Sequence, residues 1–152
     1  MADIESLIQD SHKLTAYCGH WPPFHDAEVV ELHFWRGEVF PGDWDDRNVF
    51  PVLTIKVHVL KATLPDASRD VLATLRFHDV SDFKMEGFNH CNMMVGLTIS
   101  TEARGKYRSG EDLPPFLVVQ FEAAFGMTAS FRCFRIEVVD VVPCTEDGTV
   151  NG

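Results

Sequence analysis

The sequence predicts a mainly β domain of the α+β kind, an antiparallel twisted sheet or sandwich of about six to seven strands with a short N-terminal helix. From residue 28 onward apolar and polar residues alternate along a series of segments, as they do when successive side chains point to opposite faces of a strand. The links between those segments are of hairpin length and rich in Gly, Pro, Asp and Ser, which argues against the helical crossovers of a wound α/β fold. Helical spacing is confined to the first residues.

Residues 3–14, DIESLIQDSHKL, place Ile4, Leu7, Ile8 and Leu14 at roughly helical intervals with Asp3 as the N-cap, and predict one short helix. Gly19 and the Pro22-Pro23 pair end it. The expected strands are EVVELHFWR (28–36), VLTIKVHVL (52–60), VLATLRFHDV (71–80), MMVGLTIS (93–100), PFLVVQFEAAF (115–125) and MTASFRCFRIEVVDVV (127–142). In the second, Leu53, Ile55, Val57 and Val59 share one face and Thr54, Lys56 and His58 the other, which describes a strand with one wet face. The break at Phe125-Gly126 makes the last two a hairpin, and the final segment is long enough to need a bend or bulge. PGDWDD, TLPDASRD and ARGKYRSGEDLPP read as loops. Residues 1–143 form a single domain on this reading, and the tail CTEDGTVNG, 144–152, has little to pack and is expected to be mobile.

A chain of 152 residues, 45% hydrophobic and 24% charged, holds a core without disulfides. Thirteen Lys and Arg against 23 Asp and Glu leave a formal charge of −10, which disfavours nucleic acid and anionic membranes as partners and suits a basic partner protein. The start of the chain carries no basic stretch followed by an apolar run, and no segment reaches the ~18 apolar residues of a membrane span, so a cytoplasmic location is expected. Cys18, Cys91, Cys133 and Cys144 then read as free thiols.

The candidate chemistry lies in two recurrences of Phe-His-Asp, at Phe24-His25-Asp26 and Phe77-His78-Asp79. Adjacent residues in a strand point to opposite faces, so neither His-Asp pair makes a hydrolase-type hydrogen bond by itself. One reading is structural, with Asp26 accepting turn N–H groups and His25 half-buried beside Trp21 and Phe24. The other is a metal or catalytic role with partners from elsewhere. GFNHCNMM, residues 87–94, reads as a tight turn built on Asn89 and Asn92. His90 and Cys91 with Cys18 and His20 nominally supply four zinc ligands, but at spacings unlike a structural zinc site. Cys133, between Phe131 and Phe134, reads as a buried thiol. No nucleophile elbow and no glycine-rich phosphate loop occurs, so no catalytic residue, metal ligand or cofactor is assigned. In the loop at 41–46, Trp44 stands among Asp43, Asp45 and Asp46: either a partner-binding anchor with steering acids, or a Trp folded back on its own sheet.

Taken together, Trp21, Pro22, Phe24, His25, Asp26 and Ala27, then Phe77, Val80, Gly87, Phe88, Asn89 and Asn92, then Phe131, Cys133 and Pro143 resemble the bacterial immunity proteins of polymorphic toxin systems, specifically the family numbered fifty. The resemblance covers most of residues 14–143, with Pro23 in place of a small polar residue and His78-Asp79 in place of a less acidic pair. It implies a protein that binds and silences a cognate toxin domain, without catalysis, and it implies that the motif residues are framework. A basic nuclease domain is the toxin type that an acidic inhibitor suits. The alternative is a small metal-dependent enzyme or metal-binding protein that brings the two His-Asp pairs together at one sheet end. Oligomeric state is left open, since any free sheet edge can pair two copies.

Overall fold

The computed structural model describes residues 4–37, 50–63 and 69–150. Two sheets stack face to face. The first holds, side by side, β1 (Ile8–Gln9), β9 (Arg135–Cys144), β4 (Asp70–His78), β3 (Val52–Val59) and β2 (Glu28–Trp35). The second holds β5 (Ser81–Glu86), β8 (Thr128–Cys133), β7 (Phe116–Ala123) and β6 (Met94–Glu102). All pairings are antiparallel except β1 with β9.

Alternation decides which face of each strand is dry. In β3 the residues Leu53, Ile55, Val57 and Val59 are buried, as the period of two predicts, and register sets them against Val71, Ala73, Leu75 and Phe77 of β4. Leu117, Val119 and Phe121 of β7 and Ala129, Phe131 and Cys133 of β8 close the core from the other sheet. Phe77 joins the layers, its ring centroid 5.1 Å from Phe131 and 6.2 Å from Phe121.

The described residues contain nine strands rather than six or seven, for three physical reasons. The segment 127–142 is two strands: β8 ends at Cys133 in one sheet, β9 begins at Arg135 in the other, and Phe134 alone makes the crossing. β5 was not visible as alternation, because it is an edge strand whose residues are exposed except Phe83. β1 is a two-residue pairing, Ile8 with Ile136 and Gln9 with Glu137.

That short pairing displaces the helix. Residues Ile4–Leu7 form a 3-10 turn, Asp10 takes φ 58°, and α1 (His12–Cys18) begins only beyond it, ending at Gly19 with φ 78° and the Gly19 N–H on Thr15 O. Leu14 and Cys18, one turn apart, face the core. The expected bend in the last segment is also present as a bulge at Val139, between Val138 opposite Leu75 and Asp140 opposite Thr74. It lets Ile136, Val138 and Val141 all point inward, and Lys13 Nζ of α1 donates to the Val139 carbonyl at 3.2 Å. At the other extremity Cys144 is buried in β9 opposite Asp70, and Thr145–Thr149 closes a turn through Thr145 N–H to Thr149 O.

Phe77→Ala should lower the unfolding free energy by about 3–5 kcal/mol, read by urea titration, because the cavity opens between the sheets where neither can move in to fill it.

Candidate functional site

The sandwich has two ends of different character. At one end β2 begins, β7 turns into β8, and β5 leads through residues 87–93 into β6. At the opposite end β4 passes into β5 and β8 into β9.

The first Phe-His-Asp lies at the β2 end, in a turn rather than in a strand. Phe24 and Asp26 both take left-handed backbone, φ 61° and 63°, and Ala27 N–H donates to Phe24 O at 3.1 Å. His25 is exposed, not half-buried beside Trp21 and Phe24: its Nδ1 lies 3.1 Å from Val95 O, which puts the proton on Nδ1. Its Nε2 is 3.6 Å from Asp26 Oδ2, an ion-pair distance and no hydrogen bond. Phe24 is the buried member, edge-on to Trp21 at 5.5 Å, and Pro22 is buried beside it in sequence.

The second Phe-His-Asp is a strand exit at the opposite end. Phe77 is buried, His78 Nε2 lies 3.0 Å from Glu137 Oε1 across the sheet, and Asp79 takes φ 61°. His78 holds the Glu137 carboxyl below its ordinary value, helped by Arg135 and Arg76 against partial burial. The two motifs therefore share a backbone device, an Asp in left-handed conformation after a buried Phe. Asp does this through its left-handed tolerance; the backbone N–H acceptor role expected of Asp26 is not what the geometry uses. The length of β4, nine residues or roughly 30 Å, separates them. The two His-Asp pairs cannot converge on one pocket.

The asparagine motif meets the first motif directly. Asn92 is buried and donates from Nδ2 to Asn89 O at 2.7 Å and to Val29 O at 3.2 Å, while its Oδ1 accepts Asn89 N–H at 2.9 Å. Asn92 N–H donates to Glu28 Oε2, Val29 N–H to Asn92 O, Met94 N–H to Ala27 O and Asp26 N–H to Met94 O. Residues 26–29 and 92–94 thus form a seam that ties β2 of one sheet to β6 of the other. Asn89 secures the turn itself, through Cys91 N–H on its Oδ1 and its Nδ2 on Gly87 O.

Two glycines lock this seam to the β7–β8 turn. Gly87 and Gly126 have φ 77° and 76°; a Cβ on Gly87 would stand 2.6 Å from Gly126 O, and one on Gly126 would meet Cys91 O and Asn92 Oδ1. Gly126 carries as much of the geometry as the motif residues, and the sequence marked it only as a break between strands. Phe88, between locked Gly87 and Asn89, is 40% exposed, and Phe125, before Gly126, is 63% exposed.

The four nominal zinc ligands do not assemble. Cys18 is buried on the core face of α1, where burial pushes its thiol up to about 11, while His20 and His90 are exposed. Among the described residues no three His, Cys, Asp or Glu side chains are placed to hold a metal ion. Cys133 is buried and its thiol is pushed up to about 12, by burial first and then by the Asp79 charge. All four cysteines are free thiols. Trp44, Asp43, Asp45 and Asp46 lie outside the described residues.

A model of the immunity protein 50 family matches residues 10–144. The chain belongs to that family. No curated protein and no solved structure matches it. The matched span runs from the Asp10 turn before α1 to Cys144 at the end of β9, so the immunity protein 50 unit takes in every strand of the sandwich except the two-residue β1. Within it, no helix among the described residues is long and apolar enough to cross a membrane.

One titratable pair in this immunity protein 50 domain escaped the sequence reading. His58, placed by alternation on the wet face, is buried with its Nε2 2.8 Å from Asp70 Oδ2, and Asp70 Oδ1 accepts Lys61 N–H at 2.9 Å. Gly148 of the 145–149 turn lies over the His58 ring. Burial pushes the Asp70 carboxyl up, but the Lys61 N–H, the His58 hydrogen bond and the charges of His58 and Lys61 together outweigh it and hold it below its ordinary value. Beside it is a hollow of about 260 Å³ lined by Lys61, Arg69, Cys144 and Glu146. The Cys144 thiol is raised by burial and by the Asp70 charge, the reverse of an activated nucleophile. Only register could have revealed this pair, since twelve residues separate its members.

Gly126→Ala should cost at least about 2 kcal/mol more than Gly105→Ala in urea unfolding; both have positive φ, but nothing lies within 4 Å of a Cβ at Gly105. The Asp70 carboxyl is depressed from 3.8, so its contribution to stability is complete above about pH 4 and lost as pH falls through the lower folded value. Asp70→Asn should cost about 1–3 kcal/mol at pH 7 and flatten the dependence of unfolding free energy on pH between 5 and 2.

Proposed function

We propose that the protein is a cytoplasmic immunity protein of a polymorphic toxin system, which binds one cognate toxin domain and neutralises it by occlusion, without catalysis. The family match across residues 10–144 carries this reading. Family membership implies a toxin as partner; the formal charge of −10 supports the finer statement that this toxin presents a basic surface, as a nuclease domain does where it holds phosphate. An acidic inhibitor competes with the phosphate backbone for that surface and gains association rate from long-range attraction.

Co-expression with the toxin domain encoded beside its gene tests the reading. A one-to-one complex on size exclusion and survival of cells that express the toxin are the expected results; free migration of both proteins with no protection would refute it. Raising salt from 50 to 500 mM should slow association of the complex by at least about tenfold, measured by stopped flow, while the dissociation rate changes little.

A further inference from the structure

The β2 end of the sandwich presents an apolar surface on an unusually fixed backbone. Phe125 is the most exposed large hydrophobic residue among the described ones, at 63%, and Phe88 and Val95 are exposed with it. These side chains sit on three segments that are bonded to each other. Gly87 and Gly126 touch, Ala124 and Phe125 N–H groups both donate to Met93 O, and Val95 O takes the His25 ring. The Phe88, Val95 and Phe125 side chains themselves stand outside the core, whereas Phe24, Asn92 and Met94 are buried.

A groove of about 450 Å³ runs from this end along the outer face of the second sheet. Its lining includes the small residues Ala123, Thr128, Ala129 and Ser130 together with Gln120 and Met85, and two carboxylates stand at the end nearest the aromatics: Glu86, opposite Thr128 in register, and Glu122, on β7 across from the Met94–Gly96 bulge. Among the described residues Lys84 is the single cation lining it, opposite Ser130. The acidic end and apolar walls suit the stem and head of a Lys or Arg side chain, whose methylenes lie along apolar surface while the charge meets a carboxylate.

Resting on the toxin-binding reading above, we infer that the β2 end is the toxin-docking surface, with Phe88 and Phe125 as its anchors and a basic side chain of the toxin held in the groove between Glu86 and Glu122. The motif segment then has two tasks divided by residue. Gly87, Asn89 and Asn92 fix the backbone, and Phe88 is held out by them for contact. Anchors presented on a preformed backbone lose little entropy on binding, and aromatic anchors beside opposite charge concentrate affinity in few residues.

The test uses the full chain and the catalytically inactivated toxin domain encoded beside its gene, with affinity measured by titration calorimetry. Phe88→Ala/Phe125→Ala should weaken binding by at least about 30-fold with the melting temperature unchanged. Glu86→Gln/Glu122→Gln should weaken it by about tenfold or more and reduce its salt dependence, while Tyr107→Ala, at the opposite end, should leave it within about threefold. Wild-type-like affinity in both double variants overturns the docking surface alone, and does so most directly if Trp44→Ala then abolishes binding. No binding by the wild-type protein overturns the toxin-binding reading and this surface with it.

Discussion

Where β4 gives way to β5 and β8 to β9, the Phe134 N–H donates to the His78 carbonyl at 3.0 Å, and two neighbouring strands leave one sheet for the other together. Residues 70–86 and 128–144 are in effect one antiparallel ribbon folded at a corner, half in each layer. The fold is possible because Asp79 takes left-handed backbone on one strand while a single residue, Phe134, turns the other. Phe77, Phe131 and Phe83 fill the crook, the Phe131 centroid lying 5.1 Å from Phe77 and 5.8 Å from Phe83. Every other strand is laid onto this ribbon: β3 and β2 beside β4, β1 beside β9, β7 and β6 beside β8.

The opposite end is closed differently. No strand among the described residues passes between the sheets there; instead the seam of residues 26–29 with 92–94, locked by Gly87 and Gly126, fastens β2 to β6 through backbone hydrogen bonds and the amide of Asn92. One end is held by covalent continuity and aromatic packing, the other by a satisfied polar network whose loss would leave several buried backbone groups unpaired. A network of that kind fixes positions more sharply than apolar packing does, which is why the exposed Phe88 and Phe125 are carried on it.

Strand faces were legible in the sequence because a period of two survives burial: Leu53, Ile55, Val57 and Val59 are inward as the alternation requires. The corner was not legible. Around Phe134 the apolar run FRCFRI continues without a turn residue, so nothing local marks the change of sheet. β5 was hidden because edge strands carry charge, and the helix was shifted because the Asp10 turn and the β1 pairing with Ile136 outcompete helical spacing in a segment too short to sustain itself. The Phe-His-Asp recurrence marks, at both places, an Asp in left-handed backbone after a buried Phe, a conformation that residue spacing alone does not display. His58 and Phe88 show the general limit: whether a half-polar position is wet depends on what lies over it, and for His58 that is a turn ninety residues further on.

The folded ribbon also sets when the molecule can exist. β4 has a partner on one side only, β3, and β5 has none until β8 and β9 are made, because the missing neighbours lie between residues 128 and 144. Loop closure over that separation must precede the joining of the β2–β3–β4 meander and the β6–β7 hairpin into two complete layers. During synthesis the first half of the chain therefore emerges with the outer edge of β4 and the whole of β5 unpaired and waits for its C-terminal strands, so the completed sandwich arrives late. A cell that depends on this protein gains nothing from a truncated copy, and a nascent chain is the form most exposed to aggregation.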